Sequence, residues 1–285
     1  MVDTTLDYLA RDDLYTREKP YAAEFEIAVG DGAQKTNYIL TKRPVTIHPI
    51  QPWDDFTLDR NGFCVLEEET QLDVAEAITN PSAVEGAFLD QLEAILTRRF
   101  PEYKRLEPLE FVVRKRDERF PSEQLALITH EQPACLPHGD YSVRGATLQL
   151  NSSFPGQEAY FQGKEFDMIK SFPIGCPDIS VWRPLIGPND DWPLAVCDYT
   201  SIDPEKDIIA SDRLFEDRIG ENQLLFPSDN QRWYYVERQR PDQMLVFRNT
   251  DSTGQRAKSF HAAFFNPISC SPPRQSCEAR FVAIR

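Results

Sequence analysis

Short runs in which apolar and polar residues alternate fill most of this chain, and one region carries a helical spacing instead. In that region Thr70 and Asp73 resemble a capping box opening a helix over 72–78, since a hydroxyl and a carboxylate three residues apart serve free amides at a helix start. Asn80 followed by Pro81 predicts a second start. From there Val84, Phe88, Leu92, Ile95 and Leu96 recur at helical spacing until Pro101 marks the end. Such a stripe packs on a sheet, and no chemistry is assigned to it. Strand-like runs stand at 23–29 and 45–48. From about residue 106 the pattern becomes wholly β-like, at 111–114, 125–128, 146–150, 179–182, 194–197, 232–236, 244–247 and 276–284.

About eight short strands separated by turn residues predict a mainly β sandwich or jelly-roll barrel with flanking helices. Residues 1–105 are expected to form an N-terminal α/β extension packed on a core of 106–285, the two making one structural domain. The Asp- and Pro-rich stretch 199–231 is expected to be a long connection, either a lid or, preferably, a solvated loop.

Composition narrows the function by exclusion. The chain has 285 residues, ample for a core, and 46 Asp and Glu against 31 Lys and Arg, a net charge of −15. That balance argues against nucleic acid, whose phosphates need clustered cations. The N-terminus lacks a basic segment followed by an apolar one, and no run reaches membrane-span length, so neither a secretory leader nor a membrane partner is expected. Six scattered cysteines without a CxxC pair read as reduced thiols of a cytoplasmic protein. Cys135 and Cys277 fall near the candidate chemistry, but neither has the cationic neighbours of a nucleophile. No GxGxxG, P-loop or GxSxG segment stands at a strand end, which removes the common nucleotide and serine-hydrolase readings. Self-association as a homodimer is left open.

The chemistry concentrates in Pro137-His138-Gly139-Asp140. One residue separates His138 from Asp140, so on an extended strand both side chains leave the same face and can grip one metal ion. His261 is the candidate third ligand. Of the four histidines, His48 and His130 read as structural, His130 on a strand. Two histidines and a carboxylate form the facial triad of non-heme Fe(II) oxygenases, and with an open position they also suit catalytic zinc. Arg274 and Ser276 share one face of the last strand, where a guanidinium fork and a hydroxyl suit a ligand carboxylate. A hydrolytic zinc has no clear use for that pair, whereas a dicarboxylate co-substrate has a direct one.

His-x-Asp, a distant His and Arg-x-Ser, in this order, resemble the iron(II)/2-oxoglutarate-dependent dioxygenases. Within them, His138-x-Asp140-x-Ser142-x-x-Gly145-Ala146, Val181-Trp182-Arg183-Pro184-Leu185, Pro193 to Asp198, Trp233-Tyr234-Tyr235, Asp251-Ser252, His261-x-x-Phe264 and Arg274-x-Ser276-x-Glu278-x-Arg280 are similar to the fungal secondary-metabolite hydroxylase/desaturase family. That family includes gibberellin-desaturase-like and cephem-methoxylase-related proteins. The resemblance spans about 106–285, with Gly62-Phe63 as a weaker landmark. It implies a double-stranded β-helix (jelly roll, cupin-like), Fe(II) on His138, Asp140 and His261, 2-oxoglutarate on Arg274 and Ser276, and O2. It further implies a small-molecule natural-product substrate that is hydroxylated, desaturated or oxidatively cyclised, with succinate and CO2 released. Cys277 and Gly139 depart from the family pattern. Tyr141, Trp182, Arg183, Arg114 and Cys277 are candidate substrate contacts. A cupin-type metal-dependent hydrolase or isomerase, and a non-catalytic jelly-roll binding protein, are the alternatives.

Overall fold

The structure is a computed structural model that describes residues 1–27, 34–122, 130–157, 161, 164–168 and 180–285, with the side chains of Glu110, Met168 and Ser180 left aside. In chain order it contains β1 (Val2–Leu9), β2 (Tyr21–Ala23), β3 (Leu40–Pro49), α1 (Leu58–Asn61), β4 (Phe63–Glu67), α2 (Val74–Thr79), α3 (Pro81–Arg99) and β5 (Arg105–Lys115). There follow β6 (His138–Gly139), α4 (Val143–Ser153), β7 (Phe166–Met168), β8 (Ser180–Pro184), β9 (Leu194–Cys197), β10 (Ile208–Leu214) and β11 (Ile219–Leu225). The last strands are β12 (Trp233–Tyr235), β13 (Gln243–Phe247), β14 (Thr250–Asp251), β15 (Phe260–Ala263) and β16 (Gln275–Ile284).

Two sheets result. The first runs β1-β3-β12-β9-β15-β6-β11-β10-β2; the second runs β14-β7-β16-β8-β13-β4, with β5 also paired to β16. They face one another, because Val196 and Leu194 of the first pack with Phe63, Val65, Trp182, Leu245 and Phe247 of the second in one buried cluster. This is the expected mainly β jelly roll. The outer face of the second sheet is covered by α2 and α3, where Phe88, Leu92, Ile95 and Leu96 meet Phe111, Val113, Cys277, Ala279 and Phe281. Strand β16 therefore splits by parity. Cys277, Ala279 and Phe281 point toward the helices, and Arg274, Ser276, Glu278 and Arg280 point between the sheets.

Several sequence expectations change. Helix α2 is capped by Asp73, whose carboxylate accepts from the Glu76 amide, while the Thr70 hydroxyl binds Arg183 instead. Residues 146–150, expected as a strand, lie in α4. Ser142 caps that helix by accepting from the Gly145 amide at 2.9 Å and also bonds to Glu221. The helix sits close on β11: a Cβ at Gly145 would fall 1.8 Å from the Glu221 carbonyl oxygen. The stretch 199–231 is not a plain loop, for it holds the antiparallel hairpin β10–β11. The run 23–29 contributes only Ala23 to a strand among the described residues, and His130 occupies a bend rather than a strand. The run 125–128 lies outside the described residues. Among those residues no helix is long and apolar enough to cross a membrane.

Candidate active site

Strand β6 is two residues long and exists because its neighbours hold it. On one side His138 pairs with His261 of β15, and on the other with Leu224 of β11. Residues directly opposite in an antiparallel ladder share a face, so both imidazoles enter the space between the sheets, with ring centroids 4.4 Å apart. Asp140 follows at once. Its Oδ1 stands 3.2 Å from His138 Nε2 and its Oδ2 3.2 Å from His261 Nε2. All three residues are buried, and their candidate ligand atoms lie within 4.8 Å of one another. The His138 Nδ1–H donates to the Leu136 carbonyl at 2.6 Å. That bond selects the tautomer whose Nε2 lone pair faces inward, the usual outer support of a metal-binding imidazole. Phe247 packs on His261 with centroids 4.8 Å apart. The donor set fits a single cation with one side left for other ligands. Gly139 faces the opposite way, where a Cβ would stand 3.2 Å from the Phe260 ring, so its small size serves packing beneath the site.

Arg274 and Ser276 enter the same inter-sheet space from β16 and its preceding residue. Arg274 is 2 % exposed, and among the described residues no carboxylate comes within ion-pair distance of its guanidinium. Its Nη1 donates to the Trp192 carbonyl at 2.6 Å, its amide donates to Asp191 at 2.8 Å, and its Nε is buried without a partner, as is the Ser276 hydroxyl. Burial first, and the neighbouring Arg114 charge second, pull the Arg274 guanidinium down to about 9. A buried cation with an unpartnered Nε, near an unpartnered hydroxyl, suits an anionic partner. The residues present thus fit both a metal ion and a small carboxylate.

A cavity of about 490 Å³ opens on His138 and is walled by Arg114, Tyr38, Asn222, Leu224 and Cys135. Arg114, opposite Ser276 in the ladder, is part of that wall, but Glu131 already pairs with it at 2.5 Å. Trp182 faces inward, with the Arg274 guanidinium 5.5 Å from its ring centroid. Tyr141 belongs to a buried cluster with Val282 and Ile284 at the inner end of β16. Arg183 and Cys277 are not brought to the site. Both project to the helix-covered face, Arg183 over the Phe88 ring and Cys277 within the apolar cluster, because each stands one residue out of phase with Trp182 and Ser276. His130 bonds to the Ile78 carbonyl and His48 packs near Tyr234, both away from the trio. Sequence reading missed Leu136, Asp191 and Trp192. Leu136 and Trp192 act through backbone carbonyls, which leave no residue-type signal, and Asp191 accepts a backbone amide from a segment remote in sequence.

The chain as a whole is similar to known proteins. The Fe(II)/2-oxoglutarate-dependent dioxygenase nvfI of Aspergillus novofumigatus is 28% identical over 284 residues, covering 94% of this chain and 91% of its own. Aspirochlorine biosynthesis protein N of Aspergillus oryzae is 34% identical over 147 residues, 48% of this chain and 60% of that protein. Among solved structures, the iron and alpha-ketoglutarate-dependent endoperoxidase NvfI superposes with a TM-score of 0.80 at 26% identity, covering 99% of this chain and 97% of that one. A tryptophan-to-phenylalanine variant of it reaches 0.83 at 26% identity, covering 99% and 96%. A family model described as the oxidoreductase/YMDC permease-like domain matches residues 6–284, and this chain belongs to that family of oxidoreductases.

Proposed function

We propose that this protein is an Fe(II)/2-oxoglutarate-dependent dioxygenase that oxidises a small-molecule natural-product intermediate by hydroxylation, desaturation or oxidative cyclisation. The observation that carries the reading is the convergence of two imidazoles and a carboxylate on one point, with a buried, anion-seeking arginine entering the same inter-sheet space. Relatives named for iron and 2-oxoglutarate, similar over almost the whole chain, support it. So does the lack of any role for Arg274 and Ser276 in a zinc hydrolase.

In this reading His138, Asp140 and His261 hold Fe(II), and Arg274 with Ser276 holds the far carboxylate of 2-oxoglutarate. When bound, the metal and co-substrate supply the activation of O2 that oxidises a substrate C–H bond. The chain's own part is positional. The Leu136 carbonyl holds the His138 tautomer, the sheet register fixes the angle between the imidazoles, and Phe247 keeps water from the back of His261. The substrate enters through the cavity beside His138, where Arg114 shapes the wall; Trp182 lies against Arg274 in the inter-sheet space, and Tyr141 packs in the buried cluster with Val282 and Ile284. The free thiols of Cys64, Cys135, Cys197, Cys270 and Cys277 support a cytoplasmic setting. The chain is read as one structural domain, with 1–105 an extension of a 106–285 core. The entry of β1, β2 and β3 into the nine-stranded sheet supports that unity.

The test is stoichiometry. Succinate is expected to form in proportion to O2 consumed, and only when 2-oxoglutarate is supplied. Turnover with zinc under nitrogen, without 2-oxoglutarate, would favour the hydrolase reading.

A further inference from the structure

We propose that Asp191 and Trp192 are positioning residues that aim Arg274 at the far carboxylate of the co-substrate; this rests on the reading of Arg274 given above. A guanidinium offers two useful edges to a carboxylate, and the side edge formed by Nε and Nη2 accepts one bidentately. In this chain Nη1 is already committed, donating to the Trp192 carbonyl at 2.6 Å. Nε, on the side edge, is buried and unpartnered. The carbonyl therefore occupies the end of the fork that is not wanted and leaves the side edge open.

Trp192 holds its carbonyl there by adopting φ 44, a left-handed conformation that residues with a Cβ rarely take. Its ring is the anchor. It meets Phe120 edge-on with centroids 4.8 Å apart, and Phe265 at 5.7 Å, in the wall of a second cavity of about 750 Å³. Asp191 fixes the other end of the arginine. Its Oδ2 accepts the Arg274 amide at 2.8 Å and the Arg116 Nε at 2.5 Å, so one carboxylate ties the residue before β16 to the residue after β5. Main chain and guanidinium of Arg274 are thus both held by two consecutive residues of a separate loop. Neither residue needs to touch the co-substrate.

The experiment compares two 2-oxo acids binding to iron-loaded protein under nitrogen, followed by calorimetry: 2-oxoglutarate, and 2-oxopentanoate, which has the same chain length without the far carboxylate. Asp191→Ala is expected to weaken 2-oxoglutarate about 10–100-fold, the range for loss of an outer partner of a bound group, while 2-oxopentanoate binds as in the wild type. Trp192→Gly keeps the carbonyl and takes the left-handed conformation freely but loses the ring anchor, so it is expected to act in the same direction. Should Asp191→Ala fail to fold, the glycine variant carries the test. Combined with Arg274→Ala, neither change is expected to add a further loss, since all act through one contact. Equal weakening of both oxo acids, or an unchanged preference for 2-oxoglutarate in the folded variants, overturns the proposal. A wild-type protein without that preference would contradict the role of Arg274 itself.

Discussion

His261 stands directly opposite His138 in the bridge between β15 and β6. The two imidazoles meet because of sheet register, not because of a local motif. A slip of one residue would turn His261 out of the inter-sheet space, and Ala262, its neighbour in β15, does face the other way into an apolar cluster. Geometry of the trio is therefore a property of the whole first sheet.

Loss of one ligand from that trio should be felt at the metal first. Asp140→Ala is expected to weaken Fe(II) binding severely and abolish turnover, because one of the three donors of the proposed iron site is gone. His48→Ala and His130→Ala are expected to bind iron as the wild type does, since neither imidazole approaches the trio. Metal titration under nitrogen reads the outcome, and iron loss in His130→Ala would mean the ligand set is wrong.

Arg274→Ala should separate co-substrate from metal. Removing one partner of a desolvated charge pair costs about 2–5 kcal/mol, so 2-oxoglutarate affinity is expected to fall steeply while Fe(II) affinity holds. Arg274→Lys keeps the charge but loses the planar fork and is expected to restore only part. Unchanged 2-oxoglutarate binding in folded Arg274→Ala protein would remove the co-substrate role.

How far the sequence revealed this molecule depended on where its signals sit. Strand β16 was legible because alternation over 276–284 is regular, and the parity that puts Glu278 and Arg280 with Ser276 is realised as a 3.0 Å ion pair between the sheets. Helix α3 was legible from its apolar stripe and proline start. Helix α4 was not, because Ala146, Leu148 and Leu150 alternate as a strand would; the cue that outweighs them is Ser142 ahead of a close-packed Gly145. The β10–β11 hairpin was hidden by Asp212 and Glu221, polar residues that pair with Lys19 rather than with solvent. For the site, residue types singled out the two imidazoles, the carboxylate and the arginine that the structure brings into one inter-sheet space. Strand phase decided which neighbours join them, and phase put Arg183 and Cys277 on the wrong side.

Gly145 tests the seat of α4. Gly145→Ala forces a carbon into the Glu221 carbonyl, and an overpacked interior of this kind costs roughly 1–3 kcal/mol or more. Gly86→Ala is the control, because nothing lies within 4 Å of the added carbon in α3; there a gain of about 0.5–1 kcal/mol is expected. Denaturant unfolding of both variants checks the pair. A neutral Gly145→Ala would contradict the close contact of α4 with β11.

Acid should loosen the same region. Burial works to raise the Glu221 carboxyl, but hydrogen bonds from Lys19, Ser142 and Arg144 prevail and hold it below the usual carboxylate range. A group whose folded value is depressed stabilises the fold above its unfolded value, about 4.3, and that stability is lost as pH falls through the folded value. Melting temperature is thus expected to drop from about pH 5 downward, and to drop less steeply in Glu221→Gln, which has no such proton to gain. Parallel curves for the two proteins would show that Glu221 contributes nothing to the acid limb.

In the proposed mechanism one site holds iron and 2-oxoglutarate together, and a titration under nitrogen reads this directly. Fe(II) added to the apoprotein, followed by 2-oxoglutarate, is expected to raise a weak visible charge-transfer band that saturates at one co-substrate per chain and is absent in Asp140→Ala. A wild-type protein that binds Fe(II) yet gives no band at saturating 2-oxoglutarate would contradict it.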